Sequence, residues 1–487
     1  MPRSECRGCG RRGNREIEVA TRPITPEETA HVDELIGRAR VALKAFEDAT
    51  QEQVDRLCQA LAWSVANETT FRRLAVMGVD ESGIGDPESR VGKRFKVMGI
   101  LRDVLRQKSV GVIEELPDKG IVKYAKPVGV IASLVPTTNP ELTPPGVGIF
   151  AIKCRDAVIF SPHPRSKGTT REAVEIMRRA LGREGAPVDL IQCVERASIP
   201  TAQYLMASAD LVQATGGRDM VKAAYSSGTP AYGVGAGNST MVIDETADVV
   251  EAARNTRISK TSDYGSGCSA DGNLIVEATI YEALRDRLVE EGGHIVSPDE
   301  RELLRVAMWD EEGHRTPDTI AISAQAVAKR AGFAVADDRK FLVSEETEIG
   351  KHNVLSSEKL GVVLSLFRYT GFENALQMVR EIYEVGGKGH SCGIYSFDDA
   401  HIDALALTAP VSRIMVRQPQ SKANAGAFNN GMPMTSSLGC GTWGGNVTSE
   451  NIHLKHYMNV TWVSRPIAED RPTEQELFGE FYGTPVD

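Results

Sequence analysis

The order of the apolar segments constrains the fold of this chain more than any other feature of its sequence. Across residues 129–232, short apolar runs of strand length alternate with stretches of helical periodicity, and a similar alternation resumes over residues 275–416. This rhythm is typical of parallel sheets whose strands are joined by crossover helices. The sequence therefore predicts an α/β protein with two doubly wound units. The segments that carry the prediction are helical residues 169–181 and 218–225 and strand residues 339–343, 361–365 and 392–396.

Length and charge narrow the class of protein further. At 487 residues, the chain exceeds the size at which one hydrophobic core usually divides, so we expect two large domains. The formal net charge of -10 disfavours nucleic acid or an anionic membrane surface as the main partner. No apolar stretch approaches the roughly 18 residues that span a bilayer, and the N-terminal residues lack the apolar segment of a secretory signal. These features favour a cytoplasmic protein that acts on small molecules.

The cysteine pattern argues against a disulfide framework. The eight cysteines are scattered along the chain, which favours a reducing compartment. Two of them, Cys6 and Cys9, lie in a basic arm over residues 1–22 that we expect to be disordered. A single CxxC pair is a weak metal signal, so we predict no metal site and leave zinc or redox roles as alternatives. Order is expected to begin with two helices whose first turns match capping boxes, at Thr25 and Thr50.

Cys268 differs from the other cysteines because three glycines surround it. The segment 260–273 has the sequence KTSDYGSGCSADGN, and the apolar, strand-like residues 274–276 follow directly. Glycine lets the backbone approach a ligand closely and keeps bulk away from the sulfur. A lone free cysteine is nevertheless more often buried and inert than catalytic. The interpretation of Cys268 therefore depends on the segments that accompany it.

Several further segments occur in a fixed order with the Cys268 segment. They are residues 128–140, 157–165, 211–217, 233–238 (GVGAGN) and 438–446 (LGCGTWGGN). Together they resemble the aldehyde dehydrogenase superfamily, and within it the branch that acylates coenzyme A. The resemblance covers residues 25–465, which is nearly the whole chain.

The resemblance implies an aldehyde dehydrogenase-like fold of two doubly wound α/β domains with a β-hairpin oligomerisation arm. We predict a nucleotide-binding domain over residues 23–236, interrupted by a hairpin at residues 108–126. A catalytic domain carrying Cys268 would cover residues 237–446, and a C-terminal oligomerisation tail residues 447–487. The hairpin and the tail would together join a homodimer or higher homo-oligomer; an ordinary edge hairpin is the alternative.

The resemblance makes Cys268 the catalytic nucleophile. Oxidation of an aldehyde to the acyl level needs a nucleophile, a hydride acceptor and stabilisation of the oxyanion formed on attack. A thiolate suits the first role because it leaves a thioester that remains reactive. For the oxyanion, the resemblance implies the side-chain amide of Asn139 and the backbone N–H of Cys268. Without the resemblance, Asn139 before Pro140 would be interpreted as the cap of a turn.

The resemblance also implies NAD or NADP as the hydride acceptor, bound by the first domain. Thr215, Gly216 and Gly217 lie between a strand and a helix, where free backbone N–H groups attract phosphate. This segment does not match the GxGxxG pattern, so on its own it is a weak signal.

Two further segments are implied in cofactor binding. Ser161, His163 and Arg165 follow another strand and would meet the adenosine ribose or its phosphate; a structural turn flanked by prolines is the alternative. Glu358 aligns with the acidic residue that holds the nicotinamide ribose hydroxyls in the family, with a solvated surface glutamate as the alternative. The preference between NAD and NADP depends on contacts around residues 161–165 and stays open.

The segment 233–238 departs from the hydrolytic members of the superfamily. Those members place a glutamate general base here, whereas this chain offers only glycine, valine and alanine, among them Gly235, which we assign to the cofactor site. Without that base, deacylation by water should be slow, and coenzyme A is the implied acyl acceptor. We expect reversible conversion of an aldehyde, coenzyme A and NAD(P)+ to acyl-coenzyme A and NAD(P)H. The alternatives are a hydrolytic member that uses another base and a catalytically silent, filament-forming member.

The substrate is expected to be a small aldehyde. Residues 412–417, 438–451 and 455–456 are most similar to acylating sulfoacetaldehyde dehydrogenases, which makes sulfoacetaldehyde the best expectation. An anionic substrate would favour a nearby cationic side chain. The candidates that the sequence offers are Arg257, Lys260, Arg413 and Arg417.

His390 lies in a glycine-rich stretch that is flexible enough to line a cleft. It could assist deprotonation of the thiol or serve as a hydrogen-bonded structural histidine, and the sequence leaves both roles open.

Overall fold

The computed structural model of the chain describes residues 22–485. The predicted arm over residues 1–22, with Cys6 and Cys9, lies outside the described residues apart from Arg22. The described residues form helices and parallel strands in alternation, so the predicted α/β class is confirmed.

The α-helices of the described chain are α1 (Pro26–Phe46), α2 (Gln51–Ala66), α3 (Glu68–Ser82), α4 (Pro87–Val91), α5 (Arg94–Leu105), α6 (Thr143–Cys154), α7 (Lys167–Arg183), α8 (Ile199–Ser208), α9 (Arg218–Tyr225), α10 (Val249–Thr261), α11 (Tyr281–Glu290), α12 (Pro298–Met308), α13 (Ala324–Ala331), α14 (Phe372–Val385), α15 (Asp399–Thr408), α16 (Gln420–Ala423) and α17 (Glu474–Phe478).

The strands are β1 (Gly111–Leu116), β2 (Ile121–Pro127), β3 (Val130–Val135), β4 (Ala157–Pro162), β5 (Ile191–Cys193), β6 (Leu211–Thr215), β7 (Ala231–Val234), β8 (Thr240–Ile243), β9 (Asn273–Glu277), β10 (Gly293–Ile295), β11 (Phe341–Glu346), β12 (Val363–Tyr369), β13 (Cys392–Tyr395), β14 (Ile414–Val416) and β15 (Met458–Ser464).

The first two helices begin with the predicted caps. The Thr25 hydroxyl accepts a hydrogen bond from the Glu28 N–H at 3.3 Å, and the Glu28 carboxylate accepts one from the Thr25 N–H at 3.0 Å. Thr50 and Gln53 make the same reciprocal pair at 3.3 and 2.8 Å. Each pair satisfies amides that a helix start leaves without partners, so both predicted capping boxes are confirmed.

Two parallel sheets carry the two halves of the chain. The first has the strand order β5-β4-β3-β6-β7, and the second has the order β10-β11-β12-β9-β8-β13-β14. β3 and β4 are buried along their whole length, which is why they form continuous apolar runs in the sequence. The change of sheet between Val234 and Thr240 supports the predicted domain boundary near residue 236, which stays a prediction. The core of the first sheet also takes up Met434, Ile452 and Leu454 from the C-terminal segment.

The site lies between the carboxyl ends of strands in the first sheet and the amino ends of strands in the second sheet. In the first sheet the chain runs from β3 outward to β5 and then returns to β6 on the other side, so β3 and β6 meet at a topological switch point. A crevice forms beyond the carboxyl ends of such strands. In the second sheet, by contrast, Cys268 and His390 precede β9 and β13 and therefore lie at the amino ends of the strands.

A third, antiparallel sheet has the order β1-β2-β15. The predicted hairpin at residues 108–126 corresponds to β1 and β2, and β15 pairs with β2 from Met458 to Ser464. The role of this sheet in oligomerisation stays a prediction. None of the helices within residues 22–485 is both long and apolar enough to cross a membrane.

Candidate active site

A cavity of about 710 Å³ lies where the two parallel sheets meet. Its wall is built from the turns after β3, β4, β6 and β7 and from the segments before β9 and β12. Every predicted site residue except Arg165 lines it: Asn139, Ser161, His163, Thr215, Gly216, Gly217, Gly235, Cys268 and Glu358. The fold thus gathers residues that are more than 200 positions apart in the chain.

The turn before Cys268 has an unusual backbone. Asp263 and Tyr264 have φ values of 51° and 50°, and Gly265 follows at 68°. A bulky residue in this left-handed region is strained, and surrounding contacts must hold it there. The Asp263 carboxylate supplies them, because it accepts hydrogen bonds from Arg90 Nη2 at 3.1 Å and from Lys93 Nζ at 2.7 Å. These contacts fix the loop that presents the thiol.

Two glycines let neighbouring loops approach this turn. A β-carbon at Gly237 would collide with the Cys268 carbonyl, and one at Gly387, where φ is +82°, would collide with Asn238. The Gly237 N–H also donates to Glu358 Oε1 at 3.1 Å. The loop over residues 233–238, the thiol and the loop that carries His390 can therefore pack directly together.

Cys268 is paired with His390. The Nε2 atom of His390 lies 3.0 Å from the Cys268 sulfur, and the imidazole is completely buried. Arg413 holds the loop from behind by donating to the His390 carbonyl at 2.8 Å. A nucleophile and a base within hydrogen-bond distance are the arrangement that activates a thiol. Of the two roles left open for His390, the geometry favours the one at the thiol.

A chain of hydroxyls fixes the tautomer of His390. The Ser239 hydroxyl donates to the Cys268 carbonyl at 3.2 Å, so its oxygen must accept from Ser391, 3.0 Å away. Ser391 has then used its only hydrogen and must accept from His390 Nδ1, at 2.8 Å. With the proton on Nδ1, the lone pair of Nε2 faces the thiol. The imidazole is thus set as a base before any substrate binds.

The thiol and the imidazole are both neutral at rest. Burial, assisted by the nearby Glu358 carboxyl, raises the pKa of the Cys268 thiol to about 12. Burial and the Arg413 guanidinium lower the pKa of His390 to about 3. The opposite shifts would be expected for a thiolate–imidazolium pair. The proton therefore leaves the sulfur only when the sulfur attacks.

Asn139 is oriented by a lysine. Lys93 Nζ donates to Asn139 Oδ1 at 2.8 Å and to the Thr138 carbonyl at 2.9 Å. This contact identifies the oxygen of the amide, so the NH2 group is left to donate; it makes one long hydrogen bond, to the Thr138 hydroxyl at 3.4 Å. Among residues 22–485, no acceptor takes the backbone N–H of Cys268. The cavity thus offers the two donors that stabilisation of an oxyanion needs.

The cofactor candidates lie around the switch point of the first sheet. Thr215 ends β6, Gly216 and Gly217 lead into α9, and a β-carbon at Gly217 would meet no other atom within 4 Å. The buried Thr137 hydroxyl, which follows β3, lines the same crevice without a hydrogen-bond partner. Free space at a helix start and an orphaned hydroxyl fit a dinucleotide laid across the crevice.

Of the remaining cofactor candidates, Arg165 does not line the cavity and the others do. Ser161 and His163 reach the cavity, whereas the Arg165 guanidinium turns away and donates to the Ser82 carbonyl. Arg165 does not line the cavity, because the contact with Ser82 at the end of α3 holds its side chain there. Glu358 faces the cavity and is not a solvated surface residue, and burial raises its pKa to about 8.

The cationic candidates for substrate binding do not reach the large cavity. Arg257 pairs with Glu291, Arg417 donates to the Ser396 carbonyl at 2.7 Å, and Arg413 is occupied by backbone carbonyls. Lys260 is buried behind the site. The cavity is lined instead by Lys93, Lys96 and Lys422, which sequence reasoning missed. The one signal for these lysines in the sequence was that Lys93 and Lys96 lie three positions apart at the start of α5, whose first turn contains no carboxylate.

Comparisons with known proteins agree with this geometry. A profile of the aldehyde dehydrogenase family matches residues 19–305. A sulfoacetaldehyde dehydrogenase from Acholeplasma sp. is 45% identical over 451 residues, covering 92% of this chain and 93% of that protein. An acylating sulfoacetaldehyde dehydrogenase from Bilophila wadsworthia is 41% identical, with 93% and 98% covered. The crystal structure of an acetylating aldehyde dehydrogenase from Geobacillus thermoglucosidasius superposes with a TM-score of 0.88 at 34% identity, with 92% and 99% covered.

Proposed function

The chain belongs to the aldehyde dehydrogenase family, and we propose that it is a coenzyme A-acylating member that converts a small aldehyde, coenzyme A and NAD(P)+ to acyl-coenzyme A and NAD(P)H. The single observation that carries the proposal is that His390 Nε2 lies 3.0 Å from the sulfur of Cys268, which lines a cavity whose 233–238 loop holds no carboxylate. Sulfoacetaldehyde is the proposed substrate, because the relatives with 45% and 41% identity are named for it.

In the first step, the Cys268 sulfur attacks the aldehyde carbon while His390 Nε2 takes the thiol proton. The oxyanion that forms receives hydrogen bonds from the Asn139 amide and the Cys268 N–H. One such donor typically stabilises the transition state by about 3 to 4 kcal/mol. Lys93 keeps the amide in this orientation, since its ammonium group occupies the carbonyl side.

NAD(P)+, when bound at the switch point, supplies the hydride acceptor. Loss of hydride from the tetrahedral carbon restores the carbonyl and leaves a thioester on Cys268. The His390 proton is released to solvent, which accounts for the single proton formed in the overall reaction. His390 is then neutral again and ready for the second half of the reaction.

In the second half, the thiol of coenzyme A gives its proton to His390 and attacks the thioester. The Cys268 sulfur leaves and recovers the proton from His390, which returns the pair to its resting state. Water competes poorly as the acceptor, because it is a much weaker acid and nucleophile than a thiol and because Val234, Gly235 and Ala236, which line the cavity, offer no carboxylate to activate it. Glu358 is the carboxyl that a hydrolytic member with another base would use.

The experiment is an assay of purified protein for reduced nicotinamide, with and without coenzyme A. We expect aldehyde oxidation to stop near one equivalent per Cys268 without coenzyme A and to turn over repeatedly with it. The variant Cys268→Ala should form no NAD(P)H, and Glu358→Gln should leave the requirement for coenzyme A unchanged. Full turnover of the wild type without coenzyme A would establish the hydrolytic alternative instead.

We also propose that the protein is a homodimer or higher homo-oligomer joined through the β1-β2-β15 sheet. The observation that supports this assignment is the exposure of Val460 and Trp462 on β15, at 39% and 58%.

A further inference from the structure

The substrate side of the cavity carries an unbalanced positive charge. Three lysines line it, and the carboxyl groups on the lining are Asp263 and Glu358. Asp263 is already paired with Lys93 at 2.7 Å and with the buried Arg90 at 3.1 Å. Among the described residues, neither Lys96 nor Lys422 makes an ion pair with a carboxylate.

The three lysines differ in how many hydrogen bonds they have left to give. Lys93 donates to three oxygens, those of Thr138, Asn139 and Asp263. Lys96 is occupied as well, because it donates to the carbonyls of Ala425 and Gly426 and contacts the Met434 sulfur at 3.6 Å. These two ammonium groups can attract an anion only at a distance.

Lys422 has donors to spare. Its Nζ donates one hydrogen bond, to the Ser262 hydroxyl at 2.7 Å, and an ammonium group carries three N–H bonds. Because Ser262 accepts this bond, its own hydrogen remains to be donated. The hydroxyl of Ser421, next to Lys422, lines the same cavity and is buried without a partner. An ammonium group and two hydroxyls are thus left with hydrogen bonds to give.

Lys422 lines the same cavity as Cys268 and is tied to the turn that precedes it. Gln420, fully buried, anchors α16 by donating to the Thr240 carbonyl at 3.1 Å and to Asp271 Oδ1 at 2.9 Å. Ser262, the partner of Lys422, opens the strained turn whose Asp263 accepts from Ser266 Oγ at 2.7 Å, two residues before Cys268. Ser262 therefore lies on the turn that leads to the thiol, and the hydrogen bond from Lys422 joins α16 to that turn.

We propose that Lys422, with the Ser262 and Ser421 hydroxyls, binds the terminal anionic group, sulfonate or carboxylate, of the aldehyde substrate. The assignment rests on the proposed function and names the residues that select its substrate. Burial lowers the pKa of Lys96 to about 7, so its protonated fraction adds long-range attraction for the same group. Burial and the neighbouring Lys93 lower the pKa of Lys422. An anion bound between these groups would raise this pKa again.

The test is the ratio of kcat/KM for sulfoacetaldehyde to that for propionaldehyde, measured with saturating coenzyme A. Lys422→Gln should lower this ratio about 10- to 100-fold, the loss expected for one charge-assisted hydrogen bond. Lys422→Arg keeps the charge and should hold the ratio within about fivefold of the wild-type value. Lys44→Gln, on the surface and paired with Glu47, is the matched control and should leave the ratio unchanged. Succinate semialdehyde replaces sulfoacetaldehyde in a parallel series, which separates recognition of carboxylate from that of sulfonate.

A second measurement does not depend on turnover of the anionic substrate. Ethanesulfonate should inhibit propionaldehyde oxidation competitively, with an inhibition constant about tenfold or more higher in Lys422→Gln. Dimethyl sulfone, which is neutral, should inhibit both proteins equally weakly. An unchanged ratio and an unchanged inhibition constant, in a protein that still needs coenzyme A for turnover, would overturn the assignment while leaving the proposed function intact. Turnover without coenzyme A would instead remove the proposed function.

Discussion

In the proposed mechanism, His390 acts on Cys268 from a neutral resting state, and this makes a prediction about pH. Because burial lowers the pKa of His390 to about 3 and raises that of Cys268 to about 12, the histidine is unprotonated and the thiol protonated from pH 5 to 9. The rate of alkylation of Cys268 by iodoacetamide in the free enzyme should therefore rise with pH across this range. A rate that is constant from pH 5 to 9 would indicate a thiolate–imidazolium pair and contradict the prediction.

The same pair predicts the effect of removing the base. His390→Gln should lower kcat/KM about 100- to 10,000-fold, the usual contribution of a positioned general base. Steady-state assays with coenzyme A present would measure it. His352→Gln is the matched control, because His352 is exposed and contacts only Glu348 among charged groups of the described chain.

Ser391 is a positioning residue whose effect passes through His390. Ser391→Ala removes the acceptor of the Nδ1 proton, so the imidazole can exchange tautomers and turn its Nε2–H toward the sulfur. We expect kcat to fall about tenfold, comparable to the loss of one buried hydrogen bond, with little change in KM. Ser391→Thr keeps the hydroxyl and should recover most of the activity. Equal losses in both variants would mean that packing, and not the proton chain, accounts for the effect.

Among the structural elements, the strained turn at residues 262–265 depends on charges from another part of the chain. Asp263 pairs with Arg90, and Arg90 lies 3.8 Å from the fully buried Glu141. Both Glu141 oxygens and one Arg90 nitrogen lack hydrogen-bond partners. The charges of the cluster therefore compensate one another, although several of its polar atoms lack hydrogen-bond partners. Removing one member should lower the free energy of unfolding.

Arg90→Met should destabilise the protein by about 3 to 5 kcal/mol, because it removes one of the two cations, Arg90 and Lys93, that lie beside the buried carboxyl groups of Asp263 and Glu141. Urea unfolding followed by circular dichroism would measure it. Arg72→Met, which breaks the exposed pair with Glu88, should cost less than about 1 kcal/mol. A loss as small as that of Arg72→Met would show that the buried cluster contributes nothing to stability.

The cluster also sets a pH dependence. Although burial would raise it, Lys93 and Arg90 hold the pKa of Asp263 to about 2. Since the folded pKa is below the unfolded value near 4, this contribution to stability is present above pH 4 and is lost as the pH falls toward 2. In Arg90→Met the pKa of Asp263 should rise, so acid unfolding should begin at a higher pH than in the wild type.

The elements that could be predicted from the sequence are those fixed by local interactions. The capping boxes at Thr25 and Thr50 involve residues three positions apart, and the predicted helix at residues 218–225 is α9 itself. The strand predicted from residue 339 begins at Phe341 instead, because its pairing with β10 starts there, opposite Gly293, while the Arg339 side chain donates to the carbonyls of Val289 in α11 and Gly293 in β10. Contacts of that range leave no periodic pattern in the sequence.

For the molecule as a whole, most of the site residues predicted from the sequence line the cavity, but their arrangement in space could not be predicted. Asn139 and Thr215 follow strands, as expected of an α/β crevice, whereas Cys268 and His390 precede strands of the other sheet. The pairing of carboxyl ends with amino ends arises from the packing of two sheets, which a rule for one sheet does not contain. Lys422 was missed for the same reason, since a lysine in a short helix has the pattern of a surface residue.

The antiparallel sheet β1-β2-β15 predicts that copies of the chain assemble. β2 lies between β1 and β15, so both outer strands present unpaired backbone edges among the described residues, and Val460 and Trp462 are exposed beside one of them. Exposed apolar edge strands pair or aggregate unless something covers them. The double variant Val460→Glu and Trp462→Glu should therefore lower the molar mass in light scattering to that of one chain, while Val460→Ile with Trp462→Phe should keep the wild-type mass. Because β15 belongs to neither parallel sheet, a single chain should keep its circular dichroism spectrum; a wild type that is already a single chain would contradict the assignment of this sheet.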